Sequence, residues 1–332
     1  MTYKSVPKNL LDTLSDGAFH SGEDLGEAMG VSRAAIWKNL QKLEQLGLSV
    51  ESIRGKGYRL EQRIDFLFED VISQALQSLE AKPELHFYGV LDSTNAELLR
   101  RLNNHDQWQK LNNGLCIIAE MQEAGKGRRG RQWHSPFGQN LYFSMLWRFE
   151  QGMTTLDGLS LVVGLCLVKA LKKVATQQYQ LKWPNDLLFE GKKVAGILLE
   201  VVGDPTGVCH VVIGIGVNVN SSKDKISRTI DQAWSSLADI EGGPLDRNTL
   251  LAETIKTLME ALPRFERLGF AAFMDEWSQY DAFKGQEVFV KLGDNSIFGL
   301  ADGVTKSGEL RLKNEQGVQF FNGGEVSLRR SL

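Results

Sequence analysis

A chain of 332 residues with 42% hydrophobic and 24% charged residues has globular composition and enough length for two or three packed cores. Its net charge of −3 excludes a wholesale polyanion coat, although a local basic face survives such averaging. Three cysteines, Cys116, Cys166 and Cys209, sit far apart in apolar runs, which excludes a disulfide framework or cysteine-based metal site and predicts buried thiols.

The first residues lack the apolar stretch of a signal peptide. The best apolar run, 159–168, falls far short of the roughly 20 residues of a membrane span, so a cytoplasmic protein without membrane association is expected. Pro7 suits the start of a helix, and Leu10, Leu11 and Leu14 follow at helical spacing until Ser15, Asp16 and Gly17 end it. Ser21 can cap a second helix, with Asp24 in the capping-box position and Leu25 and Met29 turned inward before Gly30 breaks it. Ser32 caps a third, where Ile36, Leu40 and Leu43 form an i, i+4, i+7 stripe that leaves Arg33, Trp37, Lys38 and Lys42 elsewhere on the surface. Two helices about a glycine turn, from Gly22 to Gln41, make a helix-turn-helix.

Residues 48–53 alternate as a strand, Arg54 to Gly57 can turn, and 58–60 return, which completes a winged helix. Between Arg33 and Arg59 stand six cations against two carboxylates, Glu44 and Glu51. Arg33, Lys38 and Lys42 on the helix and Arg54 and Lys56 on the wing are therefore the candidate DNA contacts. A helical protein-interaction domain with a solvated charged face is the alternative, and the basic wing favours DNA.

Beyond about residue 61 the pattern predicts an α+β core with a mixed or antiparallel sheet. Residues 115–120 and 140–147 read as strands, and 156–175 as a mostly apolar helix. Residues 187–189 and 194–202 read as a hairpin across Glu190 to Lys193, and 210–220 as a glycine-punctuated strand. Asp92-Ser-Thr-Asn95 can hydrogen-bond a polar head group or cap a helix over 96–102, and the residues alone favour the cap.

Gly125-Lys-Gly-Arg-Arg-Gly130 satisfies GxGxxG, but a dinucleotide fingerprint needs a helix directly after the glycines, whereas 131–136 lead through another turn toward a strand. What remains is a mobile loop whose backbone N–H groups and Lys126, Arg128, Arg129 and Arg131 suit carboxylates and phosphates, with a surface nucleic-acid patch as the competing reading. In Lys182-Trp-Pro-Asn-Asp186, Pro184 and Asn185 force a turn, leaving Lys182 as a fixed cation and Asp186 open to a backbone or metal partner; taken alone it is an ordinary turn. There is no GxSxG elbow, and His20, His86, His105, His134 and His210 show no metal spacing; His134 reads as structural. Such a domain favours chemistry by positioning and cations, for example a carboxylate attacking the α-phosphate of ATP. From 285 to 329, short runs separated by turns at Gly293, Lys306 to Gly308 and Gln316-Gly317 predict a small β-barrel.

In this order the clusters resemble the bifunctional biotin–protein ligases, also called biotin operon repressors. The resemblance runs the whole length, through the winged helix, Asp92 to Asn95, the loop Gly125 to Arg131 followed by Trp133, the Lys182 to Asp186 turn and Gly214-Ile-Gly-Val-Asn218. It implies a winged helix-turn-helix DNA-binding domain over 1–62, a mixed-sheet α/β ligase domain for biotin and ATP over 63–282, and an SH3-like barrel over 283–332. It also implies a two-step reaction. Biotin and MgATP give biotinoyl-5′-AMP and pyrophosphate, and a lysine of the biotin carboxyl carrier protein of acetyl-CoA carboxylase then attacks the mixed anhydride.

By the same resemblance Ser93, Thr94, Asn95, Gln122, Lys126, Gly127, Arg128 and Lys182 bind biotin, with Arg128 and Lys182 catalytic. Arg131, Lys193, Asn218 and Trp234 surround the nucleotide, Trp234 as a stacking surface for adenine with ordinary packing as its alternative role. Magnesium is expected to arrive with ATP, without a fixed protein site. The implied partners are the carrier protein, operator DNA and, when adenylate-bound, a second copy of the chain, with biotinoyl-AMP as corepressor of biotin synthesis genes. One departure stands out: Lys126 replaces the family's usual arginine, which keeps the charge without the bidentate fork and implies weaker adenylate retention or altered loop ordering. Two rival readings are a non-catalytic metabolite-sensing repressor and a ligase for lipoate or another acid, because cations activate any carboxylate alike.

Overall fold

The computed structural model describes residues 8–61, 64–104, 111–150, 152, 156–204, 207–222, 232–292, 295–323 and 326–330. Pro7, His105 and the turn at Gly293 lie outside them. At the N-terminus, buried leucines and side-chain caps set three helices. α1 (Lys8–Leu14) buries Leu10, Leu11 and Leu14. α2 (Gly22–Met29) starts where Ser21 Oγ accepts from Asp24 N at 3.0 Å and ends at Gly30, in the left-handed region at φ 63°. α3 (Arg33–Gln45) starts where Ser32 Oγ accepts from Ala35 N at 3.3 Å, and it buries Ile36, Leu40 and Leu43. β1 (Val50–Ile53) and β2 (Gly57–Leu60) pair antiparallel as the wing. Gly57 has φ 105°, and a Cβ there would sit 2.0 Å from the His20 carbonyl oxygen, so glycine is what lets the wing close on the helices.

The chain continues through α4 (Glu69–Ala75), β3 (Glu84–Leu91), α5 (Thr94–Asn103), β4 (Leu115–Gln122), β5 (Leu141–Phe149), α6 (Leu159–Leu171) and β6 (Gln180–Lys182). β7 (Asp186–Phe189), β8 (Lys192–Gly203), β9 (Cys209–Val217), α7 (Leu237–Glu241), α8 (Arg247–Leu268) and α9 (Met274–Ser278) follow. The central sheet has the order β3-β4-β5-β9-β8-β7-β6, and only β3 and β4 run parallel. It is the mixed sheet that the strand pattern predicts. The β7–β8 hairpin turns on Glu190 and Gly191, at φ 47° and 78°, the two positive values of a tight primed turn. α6 is buried almost all round, between the sheet and α8, which explains its uniformly apolar sequence; it is shorter than the 156–175 reading. All three cysteines are buried free thiols.

Segment 64–68 joins the two regions and is held by a buried clamp. Arg247 Nε donates to Asp65 O at 2.8 Å, Nη1 to Asn140 O at 2.8 Å and Nη2 to Glu120 Oε2 at 2.8 Å. The other Glu120 oxygen accepts from Leu67 N at 2.8 Å, and Asn248 Nδ2 donates to Phe66 O at 2.8 Å. Ile64 and Phe66 enter the winged-helix core together with Phe137, which follows the basic loop.

β10 (Glu287–Leu292), β11 (Asn295–Val304), β12 (Leu310–Asn314), β13 (Gly317–Phe321) and β14 (Val326–Arg330) form an antiparallel sheet in the order β13-β12-β11-β10-β14. Its inner residues, Val288, Val290, Ala301, Leu310 and Leu312, join the main core. Among the described residues no helix is long and apolar enough to cross a membrane.

Candidate active site

Glycines on two neighbouring strands make the floor of a cleft. Gly196 on β8 lies opposite Gly216 on β9, and Gly214 lies two residues along the same face. A Cβ at Gly214 would come 2.1 Å from Asn95 Oδ1, and one at Gly216 would come 2.5 Å from the Trp133 ring. Bare backbone therefore admits both the start of α5 and the tryptophan that follows the basic loop.

The loop itself is a folded hairpin-like turn. Gly127 N donates to Arg131 O at 2.7 Å, Trp133 N donates to Gly125 O at 2.8 Å, and Lys126 lies opposite Gln132. Arg129 and Gly130 reverse the chain at φ 59° and 71°. The next regular element is β5, so the glycines open no helix and no dinucleotide fingerprint exists. Arg128 Nη1 donates to Asn185 Oδ1 at 2.9 Å, and Nη2 donates to the Gly323 carbonyl beside the C-terminal sheet. Burial holds this guanidinium below its ordinary pKa, and Arg129 and Arg131 add to that effect against the opposing pull of Asp186.

The opposite wall is polar and almost closed to solvent: Ser93, Thr94 and Asn95 are 3%, 3% and 4% exposed. Ser93 caps α5, its Oγ accepting from Ala96 N at 3.4 Å, so the capping role read from the sequence is present and the same residue lines the cleft. Thr94 donates to Gln122 Oε1 from its backbone N at 2.9 Å, and Gln122 Nε2 donates to Ser135 Oγ at 3.1 Å. Lys193 Nζ lies 2.7 Å from Asp186 and 5.3 Å from the centre of the Trp133 ring. Asp186 is thus paired with a lysine, and among the described residues no three His, Cys, Asp or Glu side chains group to hold a metal.

These elements line a cleft that opens to solvent. Of the residues singled out in the sequence, Ser93, Thr94, Asn95, Gln122, Lys126, Gly127, Arg128 and Lys193 line it. Lys182, Arg131, Asn218 and Trp234 do not. Lys182 ends β6 opposite Asp186, and Arg131 is exposed on the loop. Asn218 is buried, with Nδ2 donating to Ser235 O at 3.4 Å, and Trp234 is half-buried in a backbone bridge to Lys193. Trp133, Asn185, Gly196, Ile197, Leu198, Gly214, Ile215 and Gly216, to which no sequence pattern assigns a ligand role, also line the cleft. Gly-x-Gly within an apolar strand was the available signal, because alternate glycines bare one face. A polar wall, an apolar floor and a cationic loop suit a ligand with a polar head, an apolar body and an anionic end.

On the winged helix, Arg33, Trp37, Lys38 and Gln41 form the exposed face of α3, and Arg54 and Lys56 are exposed on the wing. Lys42 is half-buried on the flank, where it donates to Asn39 at 3.3 Å.

Three family models match the chain: a helix-turn-helix domain over residues 8–59, the biotin/lipoate A/B protein ligase family over 88–218 and a biotin protein ligase C-terminal domain over 283–329. Over 331 residues the chain is 42% identical to the bifunctional ligase/repressor BirA of Escherichia coli K12, covering 99% of each. The chain belongs to the bifunctional biotin ligase/repressor family. BirA of Bacillus subtilis is 29% identical over 326 residues, covering 98% of this chain and 99% of that relative. A biotin protein ligase from Aquifex aeolicus, solved in complex with biotin and ATP, superposes with a TM-score of 0.64 at 33% identity, over 75% of this chain and 99% of the other. Family membership accounts for a helix-turn-helix, a mixed ligase sheet and an antiparallel C-terminal sheet in one chain.

Proposed function

We propose that this chain is an ATP-dependent biotin–protein ligase that also represses transcription of biotin synthesis genes, with biotinoyl-5′-AMP as both reaction intermediate and corepressor. The observation that carries the reading is the cleft, whose buried polar wall, glycine floor and cationic loop fit biotin's polar ring system, apolar chain and carboxylate. In the first step the biotin carboxylate attacks the α-phosphate of ATP and pyrophosphate leaves. Two anionic groups approach, so Arg128 and Lys182 lower the repulsion by charge and orientation. Magnesium bound to ATP supplies further charge neutralisation; the lysines and arginines around the cleft suit the phosphates, and no protein metal site is assigned. Arg131, Lys193, Asn218 and Trp234 contribute to the nucleotide side, Trp234 by stacking on adenine. In the second step the loop Lys126 to Arg131 shields the mixed anhydride from water until a lysine of the biotin carboxyl carrier protein attacks it.

The same loop links the two functions. Adenylate occupancy orders it and promotes homodimerisation in the cytoplasm, which presents two winged helices to a two-part operator. Lys126 gives weaker adenylate retention than an arginine would, and Lys126→Arg is expected to slow adenylate release. Pyrophosphate release with biotin and MgATP, followed by sedimentation with and without the adenylate, tests both halves. Biotin-dependent release and a shift to dimer are expected, whereas no release refutes the ligase and equal monomer fractions refute the switch.

A further inference from the structure

The sequence of α3 puts an indole on a helix face that is otherwise small, polar or charged. Ser32 caps the helix, and Ile36, Leu40 and Leu43 turn into the winged-helix core. Helical periodicity then sets Arg33, Trp37 and Gln41 on successive turns of an outer flank, and all three are exposed. Trp37 is 52% exposed, whereas Trp147, Trp183 and Trp277 are buried. The flank adjoins the start of α2 and the wing. A Cβ at Gly22, the first residue of α2, would lie 3.2 Å from Tyr58 Cε2 and 3.3 Å from Arg33 Cγ, so Arg33 stands where the two helices and the wing converge. Trp37 is the next turn along. Charge sets how far this surface extends. Arg33 and Lys38 occupy the first half of α3, whereas Glu44, two turns after Trp37 and exposed on the same flank, repels phosphates. The half of α3 that carries Trp37 is therefore the half suited to the major groove, which the second helix of a helix-turn-helix enters N-terminal end first.

The floor of that groove is made of hydrogen-bond donors and acceptors, and its apolar group is the C5-methyl of thymine. An indole laid against any other base edge strips water from polar atoms and returns at most the one bond its N–H can donate. Against a thymine methyl the same ring buries apolar surface on both sides. We propose that Trp37 is a specificity-determining residue for DNA, its ring covering the methyl group of a thymine in each half-site. The proposal rests on the DNA-binding half of the reading above. Arg33, Lys38 and the wing cations then supply affinity for DNA of any sequence, and Trp37 supplies choice among sequences.

The test starts from duplexes selected out of a random library by the full wild-type chain with biotin and MgATP. Each thymine of the selected sequence is replaced in turn by deoxyuridine, which pairs identically and lacks only the methyl. Fluorescence anisotropy then gives the Kd of wild type, Trp37→Ala and Lys38→Ala for every duplex across a salt series. At one thymine in each half-site, deoxyuridine is expected to weaken wild-type binding about fourfold, the worth of one buried methyl. Trp37→Ala is expected to bind the thymine and deoxyuridine duplexes equally, with the salt slope of wild type. Lys38→Ala keeps the methyl effect and lowers the slope. Wild-type binding that ignores deoxyuridine at every thymine overturns the proposal without recourse to any variant. So does a deoxyuridine penalty that persists in Trp37→Ala, or a loss in that variant equal for all duplexes and accompanied by a lower salt slope. A wild-type chain that selects no sequence refutes the DNA-binding reading, whereas selected duplexes without a methyl effect refute only the role of Trp37.

Discussion

In the winged helix each structural decision is made by near neighbours: Ser21 accepts from Asp24, Ser32 from Ala35, and Ile53 pairs with Gly57 across the wing turn. In the ligase cleft the decisive contacts join distant segments. Asn95 meets Glu200 at a separation of 105 residues, and Arg128 reaches Gly323 across 195. Local caps and charge leave their mark on a short stretch of sequence, whereas a cleft built by long-range pairing leaves isolated residues that look ordinary one at a time. The two regions nevertheless share a buried joint at segment 64–68, and perturbing each part tests how separate they are.

The largest expected effect lies at that joint. Arg247→Met removes the partner of a fully buried carboxylate, Glu120, and releases Asp65 and Asn140, which is expected to destabilise the chain by about 3–5 kcal/mol. Denaturant unfolding followed separately by DNA binding and by adenylate formation would show one shared transition; loss of only one activity would mean the regions unfold independently of this clamp. Next is Arg128→Ala, which is expected to slow adenylate formation by about 10²–10³-fold while DNA binding by the ligand-free chain is unchanged. Stopped-flow measurement of the first step checks the former, and a change in ligand-free DNA affinity would blur the separation.

Lys38→Ala should do the reverse. It is exposed on α3, so its loss is expected to reduce the slope of log affinity against log salt by about 1 for DNA of any sequence, with adenylation intact. A salt titration of DNA binding measures this directly. The smallest effect concerns Asp92, which precedes the cleft residue Ser93. Its hydrogen bonds from Arg100 hold the carboxyl at about 2, below its ordinary 3.8. That stabilisation is full above the ordinary value and is lost as pH falls toward about 2. The side chain is 47% exposed, so Asp92→Asn is expected to cost less than about 1 kcal/mol near neutrality. The gap between the unfolding midpoints of wild type and variant should close as pH drops through this range.

The same contrast governs what the sequence made legible. Capping serines, the Ile36, Leu40 and Leu43 stripe and the Glu190-Gly191 turn are local, and each is visible in a few residues. Ser144 and Glu200 lie within strands, and their hydrogen bonds to Asn95 join segments that no local pattern links. α8 runs continuously through Pro263 and packs against α6 and α4. The cationic composition of the basic loop is visible in the sequence, but its hairpin-like closure uses Arg131 O and Gly125 O, and Arg128 reaches the remote Gly323. Lys182, part of a motif that carries the resemblance, and Trp234, whose role the resemblance implies, lie outside the cleft walls; Lys182 pairs with Asp186, Trp234 bridges to Lys193, and Lys193 lines the cleft.

The central claim is that this chain attaches biotin to a carrier lysine. Intact-mass analysis of an apo biotin carrier domain, after incubation with the full chain, biotin, MgATP and competing lipoate, tests it most directly. One biotinyl group on one lysine is expected, dependent on ATP and unaffected by lipoate. An unmodified carrier, or one carrying the lipoyl group, would contradict it.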